Sequence, residues 1–116
     1  MVITAASTFG LSAALYADIC QVLRGYPSLE QVLIFGSRAK DTAKTYSDYD
    51  FAIFALAMSD TEFTALWHEL NDLPMIFKLD VLHWNRLREE SLKNKILTEG
   101  RLFYSPTMPN VFSQTQ

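Results

Sequence analysis

The sequence predicts an α/β (α+β) domain, a small mixed β-sheet flanked by helices. Two observations carry that reading. Apolar residues recur at helical spacing in three segments, and short apolar runs of strand length follow them in the order αβ, β, αβ, αβ. A chain of 116 residues that is 49% apolar can bury one core without disulfides or a structural metal. Residues 1–105 are expected to form that one domain, and residues 106–116 (PTMPNVFSQTQ) a loose tail.

Leu11, Leu15, Ile19, Val22 and Leu23 share one helical stripe, which predicts a first helix from Ser7 to Arg24, closed by Gly25 and Pro27. Gln31 to Phe35 (QVLIF) is a short apolar run ending in Gly36, the pattern of a buried strand that enters a tight turn. A polar stretch from Ser37 to Ser47 has almost nothing to bury, and Asp50 to Leu56 then reads as the next strand. Ser59 and Glu62 form a capping box for a second helix, in which Phe63, Leu66, Trp67 and Leu70 recur until Pro74. Met75 to His83 is strand-like with an aspartate, Asp80, inside the apolar run. Leu87, Ser91, Leu92 and Ile96 mark a third helix, with Gly100 at the position of a left-handed C-terminal cap, and Leu102 to Tyr104 a last short strand.

Composition narrows the classes of function. No apolar run approaches the roughly 20 residues needed to span a bilayer, and the first residues lack the basic start and long apolar stretch of a secretory signal. The single cysteine, Cys20, falls in an apolar helical pattern, which marks it as a core residue rather than a nucleophile, and a reducing cytoplasm suits it. A net charge of −3 supplies no general field for a polyanion and argues against stable nucleic-acid binding. A local basic cluster at Arg38, Lys40 and Lys44 could still hold a triphosphate.

The chemistry concentrates between Gly36 and Asp50. Gly36 and Ser37 directly follow a strand, and ten residues separate Ser37 from Asp48-Tyr49-Asp50. Residues two apart on an extended backbone project to one face, so Asp48 and Asp50 form a dense patch of hard oxygen donors suited to Mg²⁺. Like charges so close disfavour one another until a cation neutralises them. Gly36 allows a tight turn and close backbone approach to a phosphate, and Ser37 offers a hydroxyl and N–H at the start of a short helix. Asp80 supplies a third carboxylate, which a neighbouring strand would bring to the pair; the alternative is an exposed edge position paired with Lys78. Three carboxylates around two Mg²⁺ ions suit in-line displacement at phosphorus, with Asp80 helping to deprotonate the acceptor. Asp48 and Asp50 taken alone also fit residues that open a strand, and Arg38 and its basic neighbours a solvated loop. His68 reads as surface, His83 as a strand end without a metal-ligand partner, and Trp67, Trp84 and the phenylalanines as core, with a partner interface open to any exposed subset.

The segment GSRAKDTAKTYSDYD resembles the signature of the minimal nucleotidyltransferases, the MntA-like proteins of the DNA polymerase β superfamily: Gly-Ser, ten residues, Asp-x-Asp. The resemblance continues through DFAIF, KLDVLHW and ILTEGRLFY and covers most of residues 30–104. It implies the nucleotidyltransferase fold, with Gly36 and Ser37 as the nucleotide-phosphate loop, Asp48 and Asp50 as the metal pair and Asp80 as the third catalytic carboxylate. Asp41 departs from the glycine of many relatives and adds negative charge to the loop. The resemblance also implies Mg²⁺ as cofactor, ATP as substrate, and a role as antitoxin that transfers AMP to a tyrosine of a small helical HEPN ribonuclease encoded nearby. The same chemistry on a small molecule or RNA end, or inhibition by occlusion without catalysis, are the alternatives.

Overall fold

The computed structural model describes residues 8–40 and 48–107. A four-stranded mixed sheet is built from β1 (Gln31–Phe35), β2 (Tyr49–Phe54), β3 (Leu79–His83) and β4 (Arg101–Tyr104), in the order β3-β2-β1-β4. β1 pairs antiparallel with β2 and β4, while β2 and β3 are parallel. The parallel pair is joined through helix α3 (Asp60–Asn71), as a parallel connection requires. The other helices are α1 (Ala13–Arg24), the four-residue α2 (Ser37–Lys40) and α4 (Glu90–Glu99).

The two faces of the sheet carry separate cores. On one face α1 and α3 bury Ile19, Leu23, Leu66 and Leu70 against Val32, Ile34, Phe51 and Ile53. Phe103 of β4 lies inside this layer, with ring centroids 4.9 Å from Tyr16 and 4.5 Å from Phe51. On the other face Ile96 of α4 packs with Ala52 and Phe54, extended by Leu33, Leu82 and Trp84. Burial pushes the Cys20 thiol up to about 11, so it remains protonated in the core. Among the described residues no helix is long and apolar enough to cross a membrane.

The predicted elements are present with altered ends, each for a local reason. α1 starts at Ala13 because Ser12 caps it by accepting from Leu15 N–H at 3.1 Å, and because Phe9 (φ 55°) and Gly10 (φ 90°) form a turn that a helix cannot contain. The earlier expected start, Ser7, lies outside the described residues. β2 ends at Phe54, since Ala55 N–H bonds Asn85 Oδ1 and Leu56 N–H bonds Glu30 Oε2, leaving the ladder. β3 begins only at Leu79, opposite Tyr49, where a partner strand first exists; Phe77 before it packs instead on the Tyr49 ring, 4.4 Å between centroids. The Ser59–Glu62 capping box forms with both bonds, at 3.1 and 3.2 Å. A 3₁₀ turn at Trp84–Arg86 delays α4 to Glu90.

Gly100 is not the expected left-handed cap. Its φ of −69° and ψ of 150° are extended, and the position excludes a side chain because a Cβ would meet Ile96 O at 2.4 Å and Leu33 Cδ1 at 3.1 Å. Trp67 also departs from expectation: it is 39% exposed on the outer side of α3, edge-on to His68, while Trp84 is half-buried and stacks on Phe54 against the core. The expected tail beyond residue 107, like Asp41 and Lys44, falls outside the described residues.

Replacing Phe103 with alanine removes the ring that links α1 to the sheet. Urea unfolding is expected to show a loss of about 3–5 kcal/mol, the range for deleting a fully buried aromatic side chain.

Candidate active site

Three strand ends meet at one edge of the sheet: the C-terminal end of β1 and the N-terminal ends of β2 and β3. In the β1–β2 register Phe35 faces Asp50, so Gly36 is the first residue past the pair. In the β2–β3 register Asp50 faces Asp80. Paired residues on neighbouring strands project to the same side, so Asp50 and Asp80 both stand on the α4 face, while Tyr49 and Leu79 project to the α1 and α3 face. Asp48, exposed just before β2, has the same parity as Asp50.

Gly36 has φ +79°, and a Cβ there would lie 2.6 Å from Asp50 Oδ2. The glycine is therefore required twice, for its backbone conformation and because the Asp50 carboxylate occupies the space of a side chain. Immediately after it α2 begins, with Ala39 N–H and Lys40 N–H both bonded to Gly36 O, at 3.1 and 3.2 Å.

The electrostatics follow from this packing. Burial, then the charges of Asp80 and Asp48, hold the Asp50 carboxyl above its ordinary range, and Lys95 and Lys78 oppose the shift. Lys78 Nζ lies 3.4 Å from Asp80 Oδ1. Asp80 thus combines both features anticipated for it, an edge-strand position beside Lys78 and a register position opposite Asp50. The donor set is all carboxylate oxygen and crowded with negative charge, which fits a hard divalent cation at Asp48 and Asp50. Among the described residues no three acidic, histidine or cysteine side chains are gathered into a group able to hold a metal unaided, so the fit depends on further oxygen donors from a substrate.

Among the described residues, Arg38 and Lys40 do not form a cluster. Arg38 places its guanidinium 4.1 Å from the Tyr49 ring centroid, on the side of the sheet away from Asp50, and Tyr49 OH in turn donates to Phe9 O at 2.9 Å. Lys40 is bound to Glu99 of α4 at 2.9 Å. Lys95 of α4, whose charge reaches Asp50, had no motif to mark it. Its only signal is position, next to the core-facing Ile96 and one turn before Glu99. His83 is buried at the far end of β3, where its Nε2 donates to Ala55 O at 2.8 Å and its ring stacks on Phe63; His68 is exposed.

Comparison with known proteins identifies the family and the fold. The family model for polymerase beta nucleotidyltransferases matches residues 17–107. This chain belongs to that family. No curated protein matches it in sequence. Among solved structures, a chain of a toxin–antitoxin complex crystallised with AMP-PNP superposes with a TM-score of 0.63 at 21% identity, covering 84% of this chain and 78% of that one. An MNT antitoxin complex with tri-AMPylated HEPN toxin from Shewanella oneidensis gives 0.53 at 22% identity, covering 79% and 71%. A putative nucleotidyltransferase from Sulfolobus solfataricus gives 0.52 at 23%, covering 79% and 78%. At these identities the likeness establishes a shared nucleotidyltransferase fold.

The raised pKa of Asp50 has a definite sign. The folded state retains this proton to a higher pH than the unfolded chain, so Asp50 costs stability as pH rises from the ordinary carboxylate value through its folded value. Asp50→Asn is expected to raise Tm at neutral pH in chelator, with the gain vanishing below about pH 4, where the carboxyl is protonated in both states. Thermal melts of both proteins across pH check this.

Proposed function

We propose that this chain is a Mg²⁺-dependent nucleotidyltransferase that moves AMP from ATP to a tyrosine of a small helical HEPN-type partner, and acts as the antitoxin of that pair. The observation that carries the chemistry is Asp50, held against Gly36 with Asp80 beside it in register and Asp48 two residues before it. Membership of the polymerase beta nucleotidyltransferase family supports the reaction class. The fold likeness to an MNT antitoxin bound to a tri-AMPylated HEPN toxin supports the partner, and the likeness to a complex with AMP-PNP supports the nucleotide.

In this reading Asp48 and Asp50 hold the metal. When bound, Mg²⁺ neutralises charge on the phosphates and on the pyrophosphate that leaves. Gly36 lets the backbone turn tightly beside the Asp50 carboxylate, which brings the start of α2 to the phosphates, and Ser37 adds its hydroxyl and N–H. Asp80 is part-exposed on the edge strand, open to an acceptor hydroxyl from a partner. Its carboxylate takes the hydroxyl proton as the acceptor oxygen bonds to the α-phosphorus; the bond from that phosphorus to the bridging oxygen breaks and pyrophosphate departs. Lys78 offsets part of the negative charge that Asp80 brings to Asp50.

The test is to incubate the protein with ATP, Mg²⁺ and the HEPN-type protein encoded beside it, and to measure the intact mass of both chains. The partner is expected to gain whole AMP units. Asp48→Asn should reduce transfer by at least about a hundredfold, since a metal ligand matters more than the outer-shell partners whose loss costs up to that much. Undiminished transfer by Asp48→Asn overturns the mechanism, and an unmodified partner overturns the acceptor.

A further inference from the structure

We infer that Lys95 is a triphosphate-binding residue, carried by the second half of α4 to the open side of the site beside Asp50. This rests on the nucleotide-transfer reading and adds to it the protein cation that the phosphates meet.

A nucleoside triphosphate brings several negative charges to a site that already holds Asp48, Asp50 and Asp80, so a protein cation beside the metal favours its binding. Arg38, nearest the phosphate turn in sequence, is stacked on Tyr49 across the sheet. Lys40 is joined to Glu99 and Lys78 to Asp80. Lys95 is exposed and makes no ion pair among the described residues.

The fold also determines where Lys95 points its charge. Ile96 is fully buried against Ala52 and Phe54, which fixes the rotation of α4 on the sheet face that bears Asp50 and Asp80. Lys95 and Glu99 are one turn apart on that helix and so share a stripe. Glu99 is anchored to Lys40 of α2, the short helix that starts directly after Gly36, so the stripe runs toward the phosphate turn. The positive charge of Lys95 favours ionisation of both Asp50 and Glu99, in keeping with that placement. A lysine here serves as a flexible point charge, the form in which lysine commonly engages phosphate.

The test measures binding, with AMP-PNP and AMP as probes in the presence of Mg²⁺, by calorimetry on the intact protein. Lys95→Ala is expected to weaken AMP-PNP binding about tenfold, the loss of one charge-assisted contact, and to leave AMP binding within about twofold. Lys95→Arg should restore most of the affinity, and Arg88→Ala, an exposed cation at the other end of the α4 segment, should behave as wild type. Unchanged AMP-PNP affinity in Lys95→Ala, or equal weakening for AMP and AMP-PNP, overturns the role of Lys95 while leaving the nucleotide reading intact. Failure of the wild-type protein to bind AMP-PNP overturns both. Unchanged circular dichroism melts confirm that each variant is folded.

Discussion

The contact between the Asp50 carboxylate and the bare backbone of Gly36 is the constraint around which the site is built. Phe35 and Asp50 are opposed in the antiparallel ladder, so the turn after β1 must pass beside whatever side chain Asp50 carries. A Cβ at Gly36 would lie 2.6 Å from Asp50 Oδ2, and the residue also needs φ +79°. The turn residue and the acidic residue are therefore one unit, in which a side chain at Gly36 would displace the Asp50 carboxylate. The spacing of the Gly-Ser and Asp-x-Asp motifs in sequence reflects this juxtaposition of strand ends.

That unit is costly to folding. Burial and two neighbouring carboxylates oppose ionisation of Asp50, and Lys78 and Lys95 relieve it only in part. The rest of the molecule offsets the cost elsewhere: two apolar layers, one on each face of a four-stranded sheet, with Phe103 tying Tyr16 of the first helix to the rings of Phe9 and Phe51. A site crowded with like charge, supported by a well-packed scaffold, is the arrangement expected where cation and phosphate binding matter more than local stability.

The described cations are divided between holding the fold and facing the site. Arg38 stacks on Tyr49, Arg101 lies over Phe9, and Lys40 joins α2 to α4. These contacts brace the turn after β1 from behind. Lys78 and Lys95, from β3's approach and from α4, are those whose charges act on Asp50. Proximity in sequence to the Gly-Ser turn was thus a poor guide to electrostatic role, because side chains that alternate or step around a four-residue helix leave on different sides of the sheet.

Much of the fold was legible because periodicity is a local property. The stripe from Leu11 to Leu23, the Ser59–Glu62 box and the short apolar run QVLIF each state their element within a few residues. The ends were less legible: β3 starts where Tyr49 first offers a partner, and Gly100 answers to Ile96 O and Leu33 rather than to its own φ. The motif of Gly36, Ser37, Asp48 and Asp50, and the oddity of a charged Asp80 in an apolar run, were visible as residue types at fixed spacing. By itself the sequence determined the element types and the acidic character of the site, because these depend on side chains close along the chain, whereas the single core it suggested is two apolar layers, one on each face of the sheet. Only the tertiary structure decided that Asp80 stands opposite Asp50, that Arg38 turns away and that Lys95 approaches, because each depends on strand register and helix rotation set by packing between residues distant in sequence.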